Sequence, residues 1–226
     1  MQTPPAELAA RLVHADGALR QHVTAKAALA EQLVELRLSD DPALARRVIR
    51  LLPSRLARDV ADDVLAHREL ARLTPAQPLS AFRVGPAAAA AAKLRAYYAE
   101  AERRSGISWQ LLAAVNYVES DFGRVRERSV AGAQGPMQFM PSTWARYGRG
   151  DVHDPHEAIL AAARFLRAAG GPRLEARALY RYNPSRAYVD AVRRYAGRIR
   201  RDPRAFVVFH ARSLIVRTPG GYRRLR

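Results

Sequence analysis

Cysteine is absent from the chain. Its absence excludes disulfide bridges, thiolate zinc sites, a cysteine nucleophile and lipid attachment through a thiol. Strongly apolar runs of about 18 residues are also absent, and the N-terminal stretch lacks the apolar core of a secretory signal. We therefore expect that the protein either stays inside the cell or has had an export signal removed.

Acidic residues are scarce: 21 Asp and Glu stand against 38 Lys and Arg, for a net charge of +17. Residues 1–80 are nearly balanced, with 11 basic and 10 acidic residues, whereas residues 81–226 have 27 and 11. The excess of basic residues is largest after Val192, where Asp202 is the single acidic residue among many arginines. These arginines are Arg193, Arg194, Arg198, Arg200, Arg201, Arg204, Arg212, Arg217, Arg223, Arg224 and Arg226. Such a field favours a polyanionic partner: nucleic acid, an anionic membrane surface or an acidic cell-wall polymer.

Hydrophobic periodicity predicts a mainly α fold, in a chain long enough for one compact domain and a smaller helical neighbour. Residues 1–72 read as an N-terminal helical accessory region, and the proline-rich residues 73–86 as a linker. We predict the main helical domain over 87–200. Residues 201–226 form a basic extension in which β-branched and aromatic residues predict one hairpin, with its turn at Pro219 to Gly221.

Two carboxylates end the helical pattern "LLAAVNYVESDFG", residues 111–123. On a helical wheel, Glu119 falls within the apolar arc of Leu112 and Val115, and Asp121 projects about 160° away. A carboxylate on an apolar face is desolvated, which raises its pKa and suits it to act as a general acid. The alternative is that Glu119 lies at the exposed helix end or pairs with an arginine. We interpret Asp121 as solvated or as a local cap.

A glycine-containing loop and a tyrosine-rich helix follow, in "SVAGAQGPMQFMPSTW" (129–144) and "ALYRYNPSRAYVDAVRRYA" (178–196). Together with "VES" at 118–120, their order and spacing resemble the lytic transglycosylases of peptidoglycan, which have a goose-type lysozyme-like fold. The resemblance is strongest over about residues 86–200 and is closest to the exported, membrane-bound-type enzymes of high-GC bacteria. It implies that residues 87–200 are a lysozyme-like transglycosylase domain.

The resemblance also implies roles for particular residues. Glu119 matches the family's sole catalytic acid. The substrate-binding positions would be Ser129, Met137, Gln138, Tyr182 and Asn183. Two departures from the family pattern affect the expected subsites: Gly135-Pro136 replaces the usual Gly-Leu, and Arg181 stands where a small residue often precedes Tyr-Asn.

The implied reaction cleaves the glycan strand without water. Glu119 would protonate the glycosidic oxygen that leaves N-acetylmuramic acid, and then accept the proton of that sugar's 6-hydroxyl as it attacks C1, giving a 1,6-anhydro end. The resemblance therefore implies an extracytoplasmic location and peptidoglycan as partner, with the Arg-rich C-terminal part attached to anionic wall polymers or a membrane surface.

Other readings concern different classes of protein. The segment "GDVHDPHEA" (150–158) places His153, His156 and Glu157 near Asp154, but a helix cap explains Asp154, so we expect no metal and no cofactor. Ser120 lacks the Gly-x-Ser-x-Gly context of a serine hydrolase. An Arg-rich nucleic-acid-binding protein remains an alternative that no nucleic-acid-binding motif supports. A further alternative is a muramidase or a catalytically silent wall-binding module on the same fold.

Overall fold

The computed structural model describes residues 3–82, 84–85, 87–124 and 132–225. Within these residues the fold is mainly α with a small antiparallel hairpin near the C-terminus, which confirms the predicted fold class. None of the described helices is long and apolar enough to cross a membrane.

Four helices form the N-terminal part: α1 (Pro5–Gln21), α2 (Ala25–Asp40), α3 (Pro42–Ile49) and α4 (Ser54–Leu73). Side-chain caps fix two of the starts, since the Thr24 hydroxyl accepts a hydrogen bond from Ala27 N–H and the Asp41 carboxylate accepts from the first amides of α3. Leu12, Leu38 and Val60 are fully buried between the helices. The part therefore has its own apolar core.

In the described residues, a short 3-10 helix (Leu79–Ala81) and seven α-helices follow: α5 (Ala91–Ser105), α6 (Trp109–Ser120), α7 (Pro141–Tyr147), α8 (Pro155–Ala168), α9 (Glu175–Tyr182), α10 (Arg186–Arg201) and α11 (Arg204–Ala211). Helix α6 contacts α5, α8, α10 and α11. Its residues Leu112, Ala113 and Ala114 have no exposed surface. Because α6 is enclosed by neighbouring helices, a polar side chain on its surface meets protein rather than bulk solvent.

The C-terminal segment differs from the sequence prediction in its first half. Residues Arg204–Ala211 are helical, and only Ile215–Thr218 (β1) and Gly221–Arg224 (β2) form the hairpin around Pro219 and Gly220. The β-branched and aromatic residues that predicted a strand also have helical spacing. Phe206 and Phe209 project together from α11 and pack edge-on against Phe122 and flat against Tyr117, respectively. Burial of these two rings overrides their strand propensity.

The two parts of the chain are joined by a buried ion cluster, which we define as Glu31, Glu35, Asp63, Arg198 and Arg212. The Arg212 guanidinium donates to Glu31, Glu35 and Asp63 over 3.0, 2.6 and 2.9 Å, and Arg198 donates to Glu31 and Asp63. Helices α4 and α10 pack together beside it. Whether residues 73–86 act as a linker between separate domains stays a prediction.

Much of the predicted C-terminal positive charge is neutralised within the protein. Of the arginines counted after Val192, those in ion pairs are Arg193, Arg194, Arg198, Arg200, Arg201, Arg204 and Arg212. Most of their acidic partners lie on α2 and α4. Among the described arginines of this segment, Arg217, Arg223 and Arg224 on the hairpin have no ion pair, so less charge faces an external polyanion than the count suggested.

Candidate active site

Glu119 lies in the last turn of α6 and is partly buried. Its Oε1 accepts a hydrogen bond of 2.6 Å from the hydroxyl of Tyr188, a residue of α10 that is 2% exposed. Burial raises the pKa of Glu119 to about 7, although the Tyr188 hydrogen bond acts in the opposite direction. No described residue forms an ion pair with Glu119. The carboxyl group therefore holds or releases a proton near neutral pH.

Helix α6 ends in a tight left-handed turn directly after Glu119 and Ser120. Asp121, Phe122 and Gly123 have φ angles of 51°, 61° and 88°. For the two residues with side chains this conformation costs about 1 kcal/mol or more each, so the surroundings must stabilise it. Phe122 is 1% exposed and stacks on Tyr117, which anchors the turn in the core.

Asp121 is not solvated, in contrast to one interpretation of the sequence. It occupies the left-handed cap position of α6, and its carboxylate receives a hydrogen bond of 2.5 Å from Arg124. Burial raises the pKa of Asp121 to about 6 against the opposing charge of Arg124. The side chain lines a cavity of about 170 Å³ together with Glu35, Asp63 and Arg212. Asp121 thus belongs to the junction with the N-terminal helices.

Ser120 fastens the following loop to α6. Its hydroxyl donates to the Pro136 carbonyl over 2.5 Å and accepts from Gly123 N–H at 2.8 Å. Within the loop, Gln134 and Phe139 form an isolated antiparallel bridge with two backbone hydrogen bonds. Ser120 therefore has a structural role between the acid-bearing helix and the loop.

Gly135 and Met137 give the loop its shape. Gly135 has a φ of 71°, and a Cβ there would overlap the Val152 carbonyl oxygen, so glycine is required on both grounds. Met137 has no exposed surface and serves as the loop's apolar anchor. Gln138 is partly exposed, with a φ of 49°, and its side-chain amide donates to the Gly135 carbonyl over 2.9 Å. No group among the described residues donates a hydrogen bond to its amide oxygen, which is therefore available to a ligand.

Tyr182, the last residue of α9, connects this loop to the acid. Its hydroxyl donates to the Met137 carbonyl over 2.6 Å. Burial raises the pKa of Tyr182 far above its ordinary value, and the charge of Glu119 adds to the rise, which reflects how near the two groups lie. Asn183 follows as the cap residue of α9 and donates its N–H to the Leu179 carbonyl. Ser129 lies outside the described residues.

Sequence reasoning missed Tyr188, although it lies in the quoted "ALYRYNPSRAYVDAVRRYA" segment. Its position on the apolar face of α10 is equally typical of a core tyrosine. Only the packing of α10 against α6 brings its hydroxyl to Glu119. No signal in a single sequence distinguishes it from Tyr195, which lies two turns later and packs on Phe209.

Two of the residues weighed as metal ligands have other roles. Asp154 caps α8 by accepting a hydrogen bond of 3.0 Å from Glu157 N–H, and His156 shares one of 2.9 Å with Glu100. Across the described ranges, no group of three or more His, Cys, Asp and Glu residues is arranged to hold a metal ion.

Fold and site together define a class: a lysozyme-like helical domain in which one partly buried carboxylic acid, held by a tyrosine, stands beside a loop anchored by Met137. Residues 96–201 match the family model described as the transglycosylase SLT domain. The match confirms the resemblance that the sequence shows over this part of the chain.

A curated relative is similar over the same region. The chain is 35% identical over 122 residues to a membrane-bound lytic murein transglycosylase F of Thiobacillus denitrificans. The match covers 50% of this chain and 26% of the relative, so the chain spans about a quarter of that protein's length. No solved structure matches the chain.

Proposed function

We propose that the protein cleaves the β-1,4 glycosidic bond between N-acetylmuramic acid and N-acetylglucosamine in peptidoglycan, as a lytic transglycosylase. The observation that carries the proposal is the geometry of Glu119, a partly buried carboxyl group that accepts a hydrogen bond from the Tyr188 hydroxyl. Its pKa of about 7 lets it donate a proton and, after donation, accept one at the same pH. The SLT domain family supplies the substrate class.

Among the described residues, a single acid distinguishes this site from that of an ordinary glycosidase. Retaining and inverting glycosidases use two carboxylates across the scissile bond. The next carboxylate in the chain, Asp121, is held by Arg124 and lines a different cavity on the side of the N-terminal helices. We therefore propose that Glu119 works alone and that the substrate supplies the nucleophile.

The proposed reaction needs Glu119 twice. The carboxyl proton passes to the oxygen of the departing N-acetylglucosamine as its bond to C1 of N-acetylmuramic acid breaks. The 6-hydroxyl oxygen of the same muramic acid then bonds to C1, and its proton returns to the Glu119 carboxylate. Because the nucleophile is intramolecular, it gains from proximity, and no water is consumed. The Tyr188 hydrogen bond to Oε1 fixes the carboxyl orientation and leaves Oε2 for the proton.

Side chains around the acid suit a sugar substrate. Gln138 and Asn183 offer amide groups to N-acetyl groups and hydroxyls, and Tyr182 holds the Met137 backbone beside them. Ser129 is proposed as a further substrate contact. The geometry of the loop supports the assignments of Gln138 and Tyr182, whereas those of Ser129 and Asn183 rest on the resemblance.

We also propose an extracytoplasmic location, since the substrate lies there and the relative is named as membrane-bound. The hairpin arginines Arg217, Arg223 and Arg224, which have no acidic partner among the described residues, would contact anionic wall polymers or a membrane surface. Binding that is insensitive to added salt would count against this contact.

Digestion of purified peptidoglycan, with mass spectrometry of the products, tests the reaction. We expect 1,6-anhydro-muramic ends from the wild type and a fall in rate of about 10⁴-fold in Glu119→Gln, because general acid and base catalysis are both lost. Reducing muramic ends would indicate a muramidase instead. An absence of products would favour a wall-binding role. Circular dichroism of the variant checks that it is folded.

A further inference from the structure

Two adjoining cavities form a groove that leads away from Tyr182. The first, of about 70 Å³, is lined by Gln138, Tyr182 and neighbours, and the second, of about 410 Å³, by residues of α7, α8 and α9. Thr143, Phe165 and Arg181 line both, so they form a shared wall. The groove is therefore continuous with the candidate active site.

The groove is positively charged. Arg181 lies on its shared wall and Arg146 on the wall of the larger cavity, whereas no Asp or Glu of the described residues lines either one. Both arginines are exposed and neither forms an ion pair with a described residue. On α10, by contrast, Arg193 and Arg200 share Glu175. The groove arginines thus keep their full charge for an external anion.

The backbone that carries Arg181 and the side chain of Arg146 are both held in place. Arg181 precedes Tyr182, whose hydroxyl is bonded to the Met137 carbonyl, so the end of α9 is fixed relative to the loop. The Arg146 guanidinium lies over the Tyr147 ring, 5.3 Å from its centroid. A positioned guanidinium binds a carboxylate through two parallel hydrogen bonds, with less side-chain entropy to lose than a mobile one.

We infer that this groove binds a carboxylate-bearing substituent of the glycan strand, namely the stem peptide carried by a muramic acid next to the cleaved bond. The inference rests on the proposed function for its substrate. A cavity of about 410 Å³ accommodates a short peptide segment, and the Ser142 and Thr143 hydroxyls on its wall supply hydrogen bonds to amide groups. Arg181 and Arg146 would select strands by charge.

Binding by the inactive Glu119→Gln protein tests the inference without requiring cleavage. Dissociation constants are measured for soluble glycan strands that carry stems and for strands from which an amidase has removed them. We expect the stems to tighten binding about tenfold, the size of one charge-assisted hydrogen-bonded pair. The double variant Glu119→Gln/Arg181→Ala should lose that advantage and bind both strands alike.

Arg177→Ala in the same background is the matched control, because Arg177 is an exposed arginine one turn earlier on α9 that lines neither cavity. It should keep the preference for stems. Equal binding of both strands by Glu119→Gln, or an equal loss for both strands on Arg181→Ala, would overturn the inference. A failed proposed function looks different: the wild type would yield no anhydro ends while the stem preference persisted.

A third strand preparation separates carboxylate from phosphate. Treatment with hydrofluoric acid removes phosphate-linked polymers and leaves stems in place. The preference should survive this treatment. If Arg181 instead loses its effect only after removal of phosphate, the anion is a wall-polymer phosphate and the peptide assignment is wrong.

Discussion

Two regions of the protein bury carboxylates, one beside a neutral hydroxyl and the other between positively charged guanidinium groups. Glu119 meets a neutral hydroxyl from Tyr188 and no described cation. Glu31, in the buried ion cluster, meets two guanidinium groups, from Arg198 and Arg212. Burial raises the pKa of both acids. For Glu119 the rise to about 7 remains, whereas the two arginines outweigh burial and lower the pKa of Glu31 below its ordinary value.

The difference separates a chemical use of burial from a structural one. An acid without a cation keeps a proton that it can transfer, while an acid between arginines is fixed as a carboxylate that holds helices together. Arg124 lies between the two regions: it pairs with Asp121 and donates to the Arg212 backbone carbonyl over 2.6 Å. The end of the acid-bearing helix is thus fastened to the helix junction without placing a positive charge beside Glu119.

Removal of one cation from the cluster should have the largest effect on stability. Arg212→Met leaves Glu31, Glu35 and Asp63 facing Arg198 alone, and we expect a loss of about 3–5 kcal/mol in the free energy of unfolding, because buried charge becomes uncompensated. Urea denaturation at pH 7 measures it. Arg217→Met, at an exposed position on β1 outside any described ion pair, is the control and should cost little. A loss below about 1 kcal/mol for Arg212→Met would contradict a role of the cluster in holding the parts together.

The proton on Glu119 should make stability depend on pH. Its pKa of about 7 in the folded protein lies above the ordinary 4.5, so the folded state binds the proton more tightly than the unfolded state. The corresponding stability is present below pH 4.5 and is lost as the pH rises to about 7. Glu119→Gln removes this dependence while keeping an acceptor for Tyr188.

We therefore expect Glu119→Gln to gain stability relative to the wild type by about 2 kcal/mol between pH 4 and pH 8, after allowance for partial exposure. Urea denaturation of both proteins across this range gives the difference. A difference that stays flat with pH would mean that Glu119 has no raised pKa.

Removing the Tyr188 hydroxyl, which donates a hydrogen bond to Glu119, should have a smaller effect. In Tyr188→Phe the pKa of Glu119 should rise, because a hydrogen bond to the carboxylate is lost. The descending limb of the pH profile of kcat/KM should therefore shift to higher pH by about one unit. We also expect kcat to fall about tenfold, because the Glu119 carboxyl group is no longer oriented by the hydrogen bond. Tyr195→Phe, at a buried position on the same helix, should leave the limb where it is. An unmoved limb in Tyr188→Phe would exclude coupling between the two groups.

Particular residues show how far the sequence could be interpreted. Asp154 is predicted as a helix cap and accepts a hydrogen bond from the first turn of α8, as Ser108 does at the start of α6. Local capping rules suffice there, since the partners lie three residues away. The helix over Arg204–Ala211 was missed because aromatic and β-branched residues have similar spacing signals in strands and in short buried helices.

The sequence by itself determined the helix starts, the apolar face on which Glu119 lies and the match of residues 96–201 to the transglycosylase SLT domain. Tertiary structure decided the partners of the charged groups. Tyr188 reaches Glu119 from 69 residues away, and Arg212 reaches Glu31 from 181 residues away. The physical reason is that the affinity of a side chain for a proton depends on its burial and on charges within a few ångströms. Only folding brings such neighbours together from distant parts of the chain.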